Sequence, residues 1–249
     1  MTTAAGIIIG DEILSGKVED RNAGRLIQTL HRVGVELKRL STIGDDLEVI
    51  AEEVNRCRTF HDHVITSGGV GPTHDDRTME GVALAFSVDL VVHPVLERLV
   101  RDHWKDRVND AALKLAAIPD GAVLISSEDA FPLVAMDNVH ILPGIPELFA
   151  KKLARLEREF CGHPALLHSV YLDADESSFA ELLATIEAEH PRVKVGSYPR
   201  LTSRGHRVRV TLESRVVTAA DAALERLLLK LPADQVVRVE RGLARPSED

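Results

Sequence analysis

The chain has 249 residues, a formal net charge of −9, two cysteines, one tryptophan and two tyrosines. That length buries the core of one medium domain plus a small second one without help from a metal, and two cysteines make no disulfide framework, so both are expected as reduced, non-catalytic thiols. An acidic chain with few aromatic rings speaks against a nucleic-acid partner, and with no basic leader and no apolar run of roughly eighteen residues, a soluble cytoplasmic protein without a membrane partner is expected.

In chain order, Ala4 to Ile9 reads as a strand that runs into Gly10-Asp11-Glu12-Ile13-Leu14-Ser15-Gly16. Asn22 to Val33 reads as an amphipathic helix with Leu26, Ile27 and Leu30 on one face, stopped by Gly34 as a left-handed C-cap. Val35 to Ile43 predicts the next strand, which runs into Gly44-Asp45-Asp46. Asp46 caps the helical run from Leu47 to Arg58, which leaves Asp45 free to face a ligand. His63 to Ile65 is a third apolar strand, followed by Thr66-Ser67-Gly68-Gly69-Val70-Gly71-Pro72-Thr73-His74-Asp75-Asp76-Arg77-Thr78 and a helix to Phe86.

That run carries the chemistry of a phosphate site. Glycines allow positive φ and close approach of backbone N–H groups to an anion, and a following helix N-terminus adds partial positive charge. Asp75 and Asp76 repel phosphate on their own, so carboxylates facing the same pocket point to a bridging divalent cation held by oxygen, which His74 joins or orients. The bland alternative is a tight turn, since Gly, Pro and Asp mark loops generally. Three successive strands that each end in Gly plus Asp weigh against it. In an open parallel sheet the carboxyl ends line one edge, so these loops are expected to converge there.

Beyond Phe86, His93-Pro94 opens a charged helical excursion through Val108, anchored by Trp104. Val123 to Ser126, Leu133 to Met136 and Val139 to Leu142 are short strands, the last feeding Pro143-Gly144-Ile145-Pro146, and Glu147 to Phe160 is a closing helix. From Leu166 the order becomes strand, helix Glu176 to Glu189, strand Val193 to Tyr198, strand His206 to Glu213, helix Ala219 to Leu231 and strand Val236 to Val239, a βαββαβ unit. Asp173, Asp175 and Glu176 invite a metal reading, but Asp175 with Ser178 reads better as a helix start. Arg200, Arg204, His206, Arg207 and Arg209 form the one basic stretch, and alternation of Arg207 and Arg209 with Val208 and Val210 reads as the solvated face of a strand. His31, His61, His63, His140, His168 and His190 show no ligand spacing, and no nucleophile elbow is present.

The order GDEILSG, GDD, SGGVGPTHDD and PGIPEL resembles the molybdopterin-binding domain shared by molybdenum-cofactor proteins, the competence/damage-inducible protein A family and eukaryotic FAD synthases. His93-Pro94, Phe131-Pro132-Leu133-Val134 and Gly196-Ser197-Tyr198-Pro199 make the likeness greatest to the N-terminal region of FAD synthases. The resemblance implies a three-layer α/β/α domain with a mostly parallel sheet over residues 1–160, and a small ferredoxin-like α+β domain over 165–249. It places the pterin-site carboxylates at Asp45 and Asp76, the glycine loop at Gly68, Gly69 and Gly71, and the late proline loop at Pro143, Gly144 and Pro146. Val70 stands where the dedicated cofactor enzymes carry threonine, and neither an FAD-making domain nor an amidase domain is seen to follow.

The function expected from residues and resemblance together is metal-dependent hydrolysis of the pyrophosphate in FAD, ADP-ribose or a related adenine dinucleotide. Asp45 and Asp76 hold magnesium or cobalt, with potassium as a further ion. Asp75 or His74 accepts the proton of the attacking water. Asp11, Ser15 and Gly16 face the ribose or second phosphate, and Ser67, Thr73 and Thr78 frame the glycine loop. The alternatives are a molybdopterin adenylyltransferase and a protein that holds a pterin or nucleotide without turnover, with molybdopterin then the ligand. The family implies a homo-oligomer, dimer or trimer.

Overall fold

The computed structural model describes residues 2–125, 131–160, 162–200 and 205–243. Ser126, Cys161 and Arg204, named from the sequence, lie outside the described residues. The chain divides into two compact units, Met1–Gly162 and His163–Asp249.

The first unit begins with β1 (Thr3–Ile9), α1 (Asp11–Leu14), α2 (Asn22–Arg32), β2 (Glu36–Ile43), α3 (Leu47–Phe60), β3 (His63–Ser67) and α4 (Thr78–Phe86). It continues with β4 (Leu90–Val92), α5 (Pro94–Trp104), α6 (Asp110–Lys114), β5 (Ala117–Pro119), β6 (Val123–Ile125), β7 (Leu133–Met136), β8 (Val139–Leu142) and α7 (Pro146–Leu156). Six strands form one sheet in the order β2-β1-β3-β8-β7-β6. The first four run parallel, β7 returns antiparallel to β8, and β6 at the far edge is antiparallel to β7.

Because the central strands are covered on both faces, they are apolar in both registers. Ala5, Ile7 and Ile9 of β1 pack with Ile50 and Val54 of α3 and Val82 of α4. On the other face Ala4 and Ile65 pack with Leu26 and Leu30 of α2 and Phe149 and Leu153 of α7. This is the expected three-layer arrangement. The expected caps also form: Asp46 Oδ1 accepts from the Val49 N–H at 3.0 Å, and Gly34 ends α2 with φ 74°.

The excursion after α4 is larger than its sequence suggests. α5 is capped by His93, and its last residue, Trp104, packs on the core with its ring 6.3 Å from Phe131, the anchoring expected of it. α6 and the two-stranded β4–β5 ribbon were not anticipated. Both are short segments whose apolar residues give too few periods to read.

The second unit contains β9 (Leu166–Leu172), α8 (Ala180–Glu189), β10 (Lys194–Pro199), β11 (Val208–Ser214), α9 (Val217–Lys230) and β12 (Val236–Leu243). Its sheet has the order β10-β11-β9-β12 and every pairing is antiparallel, the expected βαββαβ plan. Val208 and Val210 are buried while Arg207 is exposed, so this strand has the solvated face expected of it. The helix start expected at Asp175 with Ser178 forms as a 3-10 turn, Glu176–Ser178, in which the Ser178 hydroxyl donates to the Asp175 carbonyl at 2.6 Å, but the α-helix expected from Glu176 begins later. The Asp175 side chain caps nothing and pairs with Arg207 at 2.5 Å, and α8 begins only at Ala180 after a 3-10 turn. The Arg207 guanidinium brings a full positive charge to the carboxylate, which a backbone N–H does not.

Candidate functional site at the carboxyl edge of the sheet

Register brings the four parallel strand ends level. Ile9 lies opposite Ile43, Ile8 opposite Ser67, and Ser67 opposite Leu142. The loops that follow are stitched to one another: Gly10 N–H donates to the Ile43 carbonyl at 3.0 Å, Asp11 N–H to Asp45 Oδ2 at 2.8 Å, and Gly68 N–H to the Leu142 carbonyl at 3.2 Å. A side chain on Gly144 would place its Cβ 3.2 Å from the Gly68 Cα, so the late proline loop lies directly against the glycine loop. The convergence expected from the sequence is therefore present.

Gly68 and Gly69 hold φ 106° and 61°, a region open to glycine and costly for other residues. A Cβ on Gly68 would also overlap the Ile9 carbonyl. Thr78, fully buried, holds the turn from beneath: its Oγ1 donates to the Gly68 carbonyl at 2.8 Å and its N–H to the Gly69 carbonyl at 3.0 Å. Thr78 is thus a support for the loop. No side chain caps the first turn of α4, which begins at this residue. Gly71 leaves room for the Asp76 carboxylate, which closes the next turn by accepting from the Thr73 N–H at 2.9 Å and from the Thr73 hydroxyl.

The electrostatics of the edge are acidic. Burial first, and then the charges of Asp11, Glu12 and Asp75, push the Asp45 carboxyl above its ordinary value against the Asp11 hydrogen bond. Asp75 is held below its ordinary value by the neighbouring Thr73 first and then by its own backbone N–H. Of the two carboxylates in the glycine-loop run, the one named among the charges on Asp45 is Asp75, whereas Asp76 Oδ2 is committed to Thr73. His74 is 98% exposed, with Nδ1 3.9 Å from Asp75. The nearby cations are engaged: Lys114 Nζ donates to the Thr73 and Asp76 carbonyls, and Arg77 Nε lies 3.4 Å from Glu80.

Among the described residues, no group of three His, Cys, Asp or Glu side chains converges tightly enough to hold a metal alone. Asp45, with Asp11 and Asp75 in its field, still fits a magnesium-like ion, which commonly takes one or two carboxylates and completes its shell with water and substrate phosphate. Ser15 is exposed and donates to the Glu12 carbonyl at 3.3 Å, Gly16 adopts φ 73° with open space around it, and Pro146 opens α7.

Two residues escaped sequence reasoning. Asn22, 5% exposed, donates through Nδ2 to Ser67 Oγ at 2.9 Å and to the Gly144 carbonyl at 2.7 Å, tying the end of β3 to the proline loop. Its only sequence signal was a place at a helix start, yet the side chain that accepts from the first N–H groups there is Asp20. Lys114 reaches the acidic loop from α6, and a distance of about forty positions leaves no local pattern. Behind the glycine loop a cavity of about 60 Å³ is lined by Val70, Met79, Leu90, Leu115 and Ala117 among others. It is far below the roughly 300 Å³ or more of a small-molecule pocket, so a nucleotide would lie on the open edge and not in this cavity.

A family model described as a probable molybdopterin binding domain matches residues 5–168, and one described as the FAD synthase middle domain matches residues 164–240. The chain is 32% identical over 254 residues to a probable FAD synthase of Caenorhabditis elegans, covering 90% of this chain and 49% of that protein. It thus spans about half the length of the nematode relatives it matches. A protein of Aeropyrum pernix is 34% identical over 236 residues, covering 89% of this chain and 88% of that one. Among solved structures, a CinA protein of unknown function from Thermoplasma acidophilum superposes with a TM-score of 0.58 at 29% identity, covering 64% of this chain and 98% of that one.

Proposed function

We propose that this chain, which belongs to the probable molybdopterin binding domain family, is a metal-dependent nucleotide pyrophosphatase acting on FAD, ADP-ribose or a related adenine dinucleotide. The observation that carries this reading is an N–H-rich glycine loop set beside Asp11, Glu12, Asp45 and Asp75, with the adjacent cations Lys114 and Arg77 engaged on protein acceptors. A pyrophosphate approaching that edge meets net negative charge, so binding it calls for a divalent cation.

Asp45 and Asp76 would hold magnesium or cobalt, Asp76 through Oδ1 while Oδ2 stays on Thr73, with potassium as a further ion. Such an ion, when bound, polarises a phosphoryl oxygen and makes water more acidic. The backbone N–H groups of Gly69 and Gly71 would orient one phosphate in line for attack, while the Gly68 N–H, expected from the sequence to join them, is held by the Leu142 carbonyl and shapes the turn instead. Asp75 or His74, both at the solvent side of the loop, would accept the proton of the attacking water as the P–O–P bond breaks to AMP and FMN. Asp11 and Ser15 would meet the ribose or the second phosphate.

The family match favours a second reading, in which the same loop holds a pterin phosphate, either as an adenylyltransferase or without turnover. Incubation with FAD or ADP-ribose, with magnesium or cobalt and potassium against a chelator, separates the two by chromatography. Metal-dependent AMP, with FMN from FAD, supports the pyrophosphatase. Bound nucleotide with no product from either substrate would overturn it in favour of a holding role.

A further inference from the structure

We infer that Lys114 is a positioning residue for the candidate site, and that the excursion between α4 and β6 acts as the arm that carries it to the acidic loop. The ammonium donates to two backbone carbonyls of one turn, Thr73 at 2.8 Å and Asp76 at 2.7 Å. The same turn is closed from inside by the Asp76 carboxylate on the Thr73 N–H and hydroxyl. Lys114 therefore fixes the backbone from which the Asp76 side chain hangs, without touching that carboxylate.

The arm is rigid where it needs to be. Asn109 Oδ1 caps α6 on the Ala112 N–H at 2.9 Å, and Ala112 and Ala116, on either side of Lys114, are 4% and 0% exposed. The Ala116 carbonyl accepts from the His93 N–H at 2.9 Å, and β5 pairs with β4, so the segment bearing Lys114 is bound at both ends. Leu115 and Ala117 line, together with Val70 and Met79, the small cavity behind the glycine loop. Lys114 is itself 31% exposed and lies 3.8 Å from Glu80. A lysine placed only for surface charge would have no reason to take two carbonyls of the loop that presents His74, Asp75 and Asp76. A fixed loop matters because a displacement of about 1 Å in a reacting group costs about a hundredfold in rate.

The kinetic arm of the test rests on the pyrophosphatase reading, whereas the exchange arm does not. In Lys114→Met, amide hydrogen exchange over the peptide spanning Thr73 to Arg77 should quicken at least tenfold without change in α2 or α7, and Lys114→Arg should restore protection. In FAD turnover, Lys114→Met should lose ten- to a hundredfold in kcat with KM within about threefold and the melting temperature within a few degrees, and Lys114→Arg should recover most of the rate. Unchanged exchange in Lys114→Met overturns the inference, whether or not the wild-type chain turns over FAD. A rate loss that tracks lost thermal stability, or that Arg does not relieve, also overturns it. Wild-type inactivity with quickened exchange would instead sink the pyrophosphatase reading and leave the role of Lys114 standing.

Discussion

The Asp11 backbone N–H donates to Asp45 Oδ2 at 2.8 Å, which joins the loop after β1 to the loop after β2. One oxygen of Asp45 is thus spent on aligning two strand ends. The carboxyl as a whole remains partly desolvated among like charges, and its proton affinity is raised.

That arrangement sets metal binding against stability. A carboxyl whose folded pKa lies above its unfolded value contributes stability below that range and loses it as pH rises through the folded pKa. Asp45→Asn keeps an acceptor for the Asp11 N–H and removes the charge. At pH 7 without metal, its melting temperature should equal or exceed that of the wild type, while calorimetric magnesium or cobalt binding should fall at least tenfold. A clear loss of thermal stability with intact metal binding would contradict this.

Asn22→Ala should loosen the same edge from the other side. Removing the amide strips bonds from Ser67 Oγ and the Gly144 carbonyl in a buried place, a cost of about 1–3 kcal/mol. Denaturant melts should show that loss in the transition of the first unit, together with weaker nucleotide binding. A melt identical to wild type would show that the amide holds nothing.

The strand ends were legible because each is an apolar run stopped by glycine and aspartate, a pattern local enough to read and regular enough to place in a parallel sheet. What could not be read depends on partners distant in sequence. Asn22 meets Gly144 across 122 positions, and Lys114 meets Thr73 across 41. The Asp76 carboxylate also closes on Thr73 three residues back through Oδ2, a second duty the sequence does not show, with Gly71 leaving room for it. The Asp175 side chain goes to Arg207, 32 positions on, which no local pattern around the helix start could indicate.

Acid should destabilise the first unit through His140. Burial first, then the neighbouring His63 at 3.3 Å, lowers the His140 pKa to about 4, while Glu159 opposes the shift. The unfolded ring titrates near 6.5, so the unfolded state binds more protons between those values, and stability present above about pH 6.5 is lost as pH falls towards 4. The loss amounts to about 3 kcal/mol at most. In urea melts across that range, His140→Gln should flatten the acid limb, and an unchanged slope would refute the assignment.

Cys57 should be inert in the native chain. It is fully buried, and burial, followed by the charge of Glu53, pushes its thiol up to about 12, so almost no thiolate exists at neutral pH. Mass mapping after brief alkylation should find the Cys57 peptide unmodified until the chain is denatured. Rapid native labelling would show that this core opens readily.

The most direct test of the whole account is release of AMP from FAD by the wild type, Asp45→Ala and Asp76→Ala chains, each assayed with magnesium or cobalt and with chelator. Metal-dependent AMP and FMN are expected from the wild type, with a loss of at least a hundredfold in both variants and folding preserved. Wild-type activity left intact in both variants would contradict the site at the carboxyl edge of the sheet.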